Sequence, residues 1–177
     1  MLPPLTLVIG GAASGKSAYG EALVTATGRA RRYIATAEVH DAEMRAKVAR
    51  HRKNRGANWE TIEAPLDATS ALVGARASDV VLFDCATLWL SNHLLAGNDL
   101  PAEEAHLLAT LTTCAAPVVV ISNEVGNGIV PGNALSRRFR AAQGQLNQRL
   151  AEASDLVVTV IAGLPLVLKG ALPEAPK

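Results

Sequence analysis

Aromatic residues are scarce, at 3% of 177 residues, which excludes a core built mainly of packed rings. The 49% apolar fraction must be carried by Val, Leu, Ile and Ala, the usual filling of parallel sheets covered by helices. An α/β architecture is therefore favoured over an all-β sandwich. The length suits one sizeable core, so a single domain over residues 1–177 is expected. Charge of one sign is lacking as well. Lys and Arg total 17 against 16 Asp and Glu, a net charge of +1 that is too small to drive binding along a nucleic-acid backbone, and no nucleic-acid partner is expected. Cysteine is limited to Cys85 and Cys114, without CxxC spacing. Buried reduced thiols suit them better than a disulfide, a redox pair or a zinc site, and a cytoplasmic location follows. Long hydrophobic runs are missing too. Met1 to Ile9 has no basic stretch and is too short for a signal sequence, and Val118 to Ile121 stops at Ser122 and Asn123, so no membrane span is expected. Repeats and low-complexity tracts are absent; only Ala171 to Lys177, with Pro173 and Pro176, reads as a loose tail.

Short β-branched runs alternate with helical patterns. Leu5 to Ile9, Arg32 to Thr36, Val80 to Asp84, Val118 to Ser122 and Leu156 to Ile161 read as buried strands, and the alternation implies βαβ units in a mainly parallel sheet. Helices are expected over Lys16 to Thr27, closed by Gly28, and over Asp41 to Asn54, capped by Asp41. Two more are expected over Pro101 to Thr113 and Asn133 to Ala153. In the last, Leu135, Phe139, Ala142, Leu146 and Leu150 form one stripe, leaving Arg138, Gln145 and Arg149 for solvent or a site. Trp59 to Glu63 reads as a short edge or hairpin strand.

The chemistry begins at Gly10, Gly11, Ala12, Ala13, Ser14, Gly15, Lys16 and Ser17, which match GxxxxGK[ST] between an apolar strand and a helix. Such glycines let backbone N–H groups curl around phosphate oxygens, and the helix N-terminus adds positive potential. The lysine reaches the β and γ phosphates, while the Ser17 hydroxyl suits Mg²⁺. Asp84 ends an apolar strand and is the second candidate ligand for the metal, against a simple strand-end cap; Glu124 is its rival for base or metal duty. Arg50, His51, Arg52, Lys53 and Arg55 form a cationic cluster that fits either polyphosphate or a solvated helix end. His51 shares a face with Met44 and Val48, and from spacing alone an ordinary structural histidine is the favoured reading over a nucleophile. Asn123 to Pro131 leaves a strand end as a glycine-rich, apolar loop, suited to an acceptor pocket or to a packed Ω-loop. His40, His93 and His106 lack ligand-like spacing and receive no role.

Taken together, these residues resemble the bifunctional adenosylcobinamide kinase and adenosylcobinamide-phosphate guanylyltransferase family of cobalamin biosynthesis. The resemblance spans nearly the whole chain. It rests on Gly10 to Ser17, Tyr33-Ile-Ala-Thr-Ala37, Asp41 with Glu43-Met44, His51 followed by Arg55, and Trp59 with Glu63. It continues through Asp84-Cys-Ala-Thr-Leu-Trp-Leu-Ser-Asn92, Ser122-Asn-Glu-Val-Gly126, Gly128-Ile-Val-Pro131, Arg138-Phe-Arg140 and Asn147-Gln148. Departures are Asn127 and Gly132, where larger or acidic residues are expected, and Arg50, where some relatives have a second histidine.

The resemblance implies a RecA-like P-loop fold, a homotrimer, and two reactions. ATP or GTP first gives its γ-phosphoryl to the aminopropanol hydroxyl of adenosylcobinamide, the corrinoid substrate. GTP then gives GMP to that phosphate, through a guanylylated histidine that corresponds to His51. Implied nucleotide contacts are Gly10 to Ser17, Ala35, Thr36, Ala37, Arg52, Lys53, Asn54, Arg55, Glu63 and Asp84, with Lys16 and His51 catalytic and Ser17 and Asp84 on Mg²⁺. Two other readings stay open: a P-loop kinase without nucleotidyl transfer, and a RecA-like nucleotide-dependent switch in which Glu124 activates water.

Overall fold

The computed structural model describes residues 1–38 and 58–172. Its frame is a seven-stranded sheet in the order β3-β2-β4-β5-β1-β6-β7, formed by β1 (Leu5–Gly10), β2 (Ala30–Ala35), β3 (Trp59–Glu63), β4 (Asp79–Asp84), β5 (Val118–Asn123), β6 (Leu156–Ile161) and β7 (Leu164–Lys169). All neighbouring pairs are parallel except β6 with β7. β5 illustrates why the apolar runs become strands rather than helices. Val118 and Val120 join one core cluster and Val119 and Ile121 the other, so a continuous β-branched run is buried on both faces of the pleat.

One face is covered by α1 (Lys16–Thr25), whose Val24 packs with Leu82, Val119 and Ile121. The other face carries α2 (Ala68–Val73), α3 (Ala86–Ala96), α4 (Leu100–Thr113) and α5 (Ala134–Ala153), which bring Leu72, Trp89, Leu107, Leu146 and Leu150 onto Val81 and Phe83. Burial of each such large side chain contributes about 1.5–3 kcal/mol.

Most expected elements fall within a residue or two of their sequence-derived limits. Asn133 caps α5 by accepting from the Ser136 N–H at 2.7 Å, and Asp99 with a proline in the first turn opens α4. Trp59–Glu63 is an edge strand parallel to β2, which removes the hairpin alternative. In α5, Leu146 and Leu150 are buried and Phe139 and Ala142 pack against the core, but Leu135 is half exposed. Arg138, Gln145 and Arg149 are exposed as expected, and Arg149 also pairs with Glu104, a carboxylate buried under α5. α2, α3 and β7 go beyond the sequence reading. β7 returns along β6 through Ala162 and Gly163, both at positive φ, the geometry of a two-residue hairpin turn. The expected helix Asp41 to Asn54 and the tail from Pro173 lie outside the described residues.

Candidate nucleotide site

Six parallel strands, β1 to β6, end on one edge of the sheet, where α/β proteins hold ligands. β1 stops at Gly10 and the chain turns through residues 11–15 before α1 starts at Lys16. Ala13 (φ 55°) and Gly15 (φ 96°) take left-handed backbone to make the turn. The Ser14 N–H donates to the Gly11 carbonyl at 3.3 Å, and the Gly163 N–H from the β6–β7 turn donates to the Ser14 carbonyl at 2.8 Å, propping the loop from outside. The helix N-terminus has no side-chain cap and no acid in its first turn, so its positive end is not neutralised locally. Lys16 is buried and its Nζ lies across the loop, donating to the Gly11 carbonyl at 3.0 Å. Ser17 is half-buried one residue further on.

Register brings the second half of the site alongside. Asp84 pairs with Ile121 on one side and Ala35 on the other, and Ala35 pairs with Glu63, so three expected contacts lie in one row across β4, β2 and β3. Alternation along β4 turns Asp84 to the α1 face, with Val80 and Leu82. Its Oδ2 accepts from the Tyr33 hydroxyl at 2.9 Å, and Tyr33 is in turn held edge-on by Trp59, over whose ring Arg31 lies. Glu63 is exposed at the row's end.

Thr36 is a strut rather than an open side chain. Fully buried, its Oγ1 donates to the Cys85 carbonyl at 2.8 Å and accepts from the Cys85 N–H at 2.7 Å, while Asn92 Nδ2 donates to the Thr36 carbonyl at 2.9 Å. Ala35 and Ala37 flank it, half-buried. Burial, aided by the neighbouring Asp84 charge, pushes the Cys85 thiol up to about 11. It is an inert core thiol.

At the end of β5 the Glu124 N–H donates to the Gly10 carbonyl at 2.9 Å, whereas the Glu124 carboxylate turns away and accepts from the Gly126 N–H. The following loop exposes Ile129 and Val130 instead of packing them, against the Ω-loop alternative. It is tied to α5 by Arg140, which donates to the Gly126 carbonyl, and by Arg137, which donates to the Pro131 and Gly132 carbonyls. His93 is buried between the Leu66 carbonyl and Asn98, and His106 is exposed. His51, Arg50, Arg52, Lys53, Asn54 and Arg55 lie outside the described residues.

No group of three His, Cys, Asp or Glu able to hold a metal occurs among the described residues. One hydroxyl and one carboxylate on the same face still form a hard-oxygen set that fits Mg²⁺, an ion that completes its shell with substrate phosphates and water. The Tyr33 hydroxyl on Asp84 and the Thr36 strut behind it have no signal along the chain, because each acts through cross-strand register.

Residues 6–168 match the sequence pattern of the family described as cobinamide kinase / cobinamide phosphate guanyltransferase. The chain belongs to that family. Family members include the bifunctional adenosylcobalamin biosynthesis protein CobP of Pseudomonas aeruginosa, 43% identical over 93% of this chain and 96% of that protein. The corresponding CobU of Salmonella typhimurium is 37% identical over 93% of this chain and 99% of that protein. Among solved structures, the RadB recombinase superposes with a TM-score of 0.50 at 17% identity, over 99% of this chain and 86% of that one. A type III secretion ATPase gives 0.54 at 10% identity, over 93% of this chain and 57% of that one. These likenesses establish that this family member has the RecA-like P-loop fold. No helix among the described residues is long and apolar enough to cross a membrane.

Proposed function

We propose that this chain, acting as one domain in the cytoplasm, carries out both reactions of its family on a corrinoid. In the first, the aminopropanol hydroxyl of adenosylcobinamide attacks the γ-phosphorus of ATP or GTP. The bond to the β-phosphate oxygen breaks, the hydroxyl proton is released, and a nucleoside diphosphate leaves. In the second, a His51 ring nitrogen attacks the α-phosphorus of GTP and expels pyrophosphate. The phosphate made in the first step then displaces His51 and forms adenosylcobinamide-GDP.

The observation that carries the reading is the P-loop, with Lys16 across it and Asp84 on the same face of the sheet. Gly10 to Ser17 grip the phosphate chain through backbone N–H groups, Lys16 offsets charge on the transferring phosphoryl, and Glu63 with Ala35 to Ala37 borders the row. Ser17 and Asp84 would hold Mg²⁺, which supplies charge neutralisation on the phosphates. Arg52 to Arg55 accompany His51 in sequence and suit pyrophosphate. The segment bearing His51 departs from Glu38, three residues beyond the Ala35–Asp84 pair. Trimer formation belongs to the same proposal.

The test uses α-labelled GTP with Mg²⁺ and adenosylcobinamide. Lys16→Ala is expected to suppress both products. His51→Ala is expected to abolish guanylyl transfer and protein labelling while part of the kinase activity survives. The wild type should retain one GMP through an acid-labile, alkali-stable bond. Kinase turnover without any label on wild-type protein would reduce the enzyme to a monofunctional kinase, and nucleotide hydrolysis without a corrinoid product would make it a switch.

A further inference from the structure

We propose that Asn92 positions the nucleoside half of the bound nucleotide. Its one carboxamide ties the backbone leaving β2 to the backbone leaving β3, and so holds Ala35 to Ala37 and Glu63 as one shelf. The inference rests on the nucleotide contacts proposed above and names the residue that keeps them aligned.

A parallel ladder aligns two strands only as far as it runs. β2 and β3 pair as far as Ala35 and Glu63, and one more backbone bond follows, from the Ala64 N–H to the Ala35 carbonyl at 2.8 Å. Beyond it both chains leave the sheet, one toward Glu38 and the other into the turn before α2. Backbone carbonyls at such exits need new donors, and α3 supplies them. Asn92 Nδ2 donates to the Thr36 carbonyl at 2.9 Å and to the Pro65 carbonyl at 2.9 Å, 56 and 27 residues away along the chain. Both neighbours are acceptors, so the nitrogen end of the amide must face them. The next carbonyl, of Leu66, accepts from Trp89 Nε1 at 3.0 Å and lies 3.2 Å from His93 Nε2.

Trp89, Asn92 and His93 share one face of α3 by their spacing. Trp89 and His93 are buried and reach only the exit of β3, whereas the half-buried Asn92 bridges both exits. The same helix follows directly on Asp84 and Cys85, and the Thr36 hydroxyl is bonded to the Cys85 peptide. The ends of β4, β2 and β3 are therefore braced as one unit. In the strand order, β2 is three places from β1, a separation of about 14 Å at the usual strand spacing. That distance suits the opposite end of a nucleoside triphosphate whose phosphates lie in the P-loop. The chemistry agrees, because the exposed Glu63 carboxylate repels phosphate and accepts from the N–H and O–H groups of a base or ribose.

Loss of the amide should loosen the shelf and leave the P-loop intact, so the readout is a ratio of two affinities. Calorimetric titration of the full chain with Mg²⁺ compares the α,β-methylene analogue of GTP, which cannot release pyrophosphate, with inorganic triphosphate, which has no nucleoside. Asn92→Ala is expected to weaken the analogue about tenfold while triphosphate stays within about twofold, since two hydrogen bonds that align the shelf are removed. Asn92→Asp keeps the size but sets a carboxylate against two carbonyl oxygens, and should weaken the analogue at least as much. In the wild type, the analogue and not triphosphate should slow hydrogen exchange across residues 35–38 and 63–66, a measurement that stands even if a variant fails to fold. Equal weakening of both ligands, as a merely structural clamp would give, overturns the proposal. So does an unchanged ratio, or exchange slowed as much by triphosphate. A wild type that binds the analogue no more tightly than triphosphate overturns the proposed nucleotide contacts instead.

Discussion

Gly10 is the hinge between β1 and the phosphate loop, and its missing side chain can be tested directly. A Cβ placed there would meet the Val160 carbonyl oxygen at 2.6 Å and Ser14 Oγ at 2.5 Å. The Ser14 hydroxyl can rotate away. The Val160 oxygen cannot, because Val160 sits in β6 between β1 and β7. Close carbon to oxygen contacts run at about 3.3 Å, so relief requires a displacement of roughly 0.7 Å at the start of the loop. Overpacking of that kind costs about 1–3 kcal/mol, and at about 2–4 °C per kcal/mol in a chain of this length Tm should fall by roughly 2–12 °C. A displacement approaching 1 Å where phosphates are positioned should also reduce turnover by up to about a hundredfold. Gly11 is the control, because a Cβ there meets nothing within 4 Å. Gly11→Ala should stay within about 0.5 kcal/mol of the wild type. Thermal unfolding and phosphoryl-transfer rates of the two variants check this. A Gly10→Ala protein that melts and turns over like Gly11→Ala would refute the steric argument.

Two further outcomes follow from the same geometry. Asp84→Asn should raise the Mg²⁺ concentration needed for half-maximal turnover, because an amide is a weaker ligand for a hard cation; an unchanged Mg²⁺ dependence would transfer the role to Glu124. Arg149→Ala should cost about 1–3 kcal/mol at neutral pH, between the values for exposed and buried pairs. Burial holds the Glu104 carboxyl above its usual range, with Arg149 opposing, so removing Arg149 raises it further. A folded-state value above the unfolded one favours folding at acid pH and is lost as pH rises through it. The deficit of Arg149→Ala in Tm should therefore shrink as pH falls into the carboxyl range, and a deficit independent of pH would count against the pair.

Six strands, Trp59–Glu63 among them, and three helices were legible because their side chains follow the pattern of the element. Leu146 and Leu150 lie where the stripe of α5 puts them, and β5 has the unbroken apolar run of a strand covered on both sides. α3 was not legible, because its buried face includes the polar Thr87 and His93 while its outward face carries Leu88 and the exposed Leu95, so hydrophobicity along the chain does not follow burial. β7 was missed for a related reason: Leu164, Leu166 and Leu168 are all exposed on an edge strand that also holds Pro165, so no in-and-out alternation survives.

The same division runs through the site. Gly10 to Ser17 form a local signal, since strand, turn and helix start are consecutive and short-range sterics decide them, and the sequence by itself determined both the loop and the family. Asp84 could be named from its position at the end of an apolar run, but not what surrounds it. That Tyr33 bonds its carboxylate, that Ala35 and Glu63 share its row, that Thr36 braces the Cys85 peptide, and that Asn123 ends the strand between Asp84 and the P-loop were decided only by the tertiary structure. The reason is physical: these contacts depend on the order and register of strands distant along the chain, and hydrophobic periodicity within one strand carries no information about which strand lies beside it.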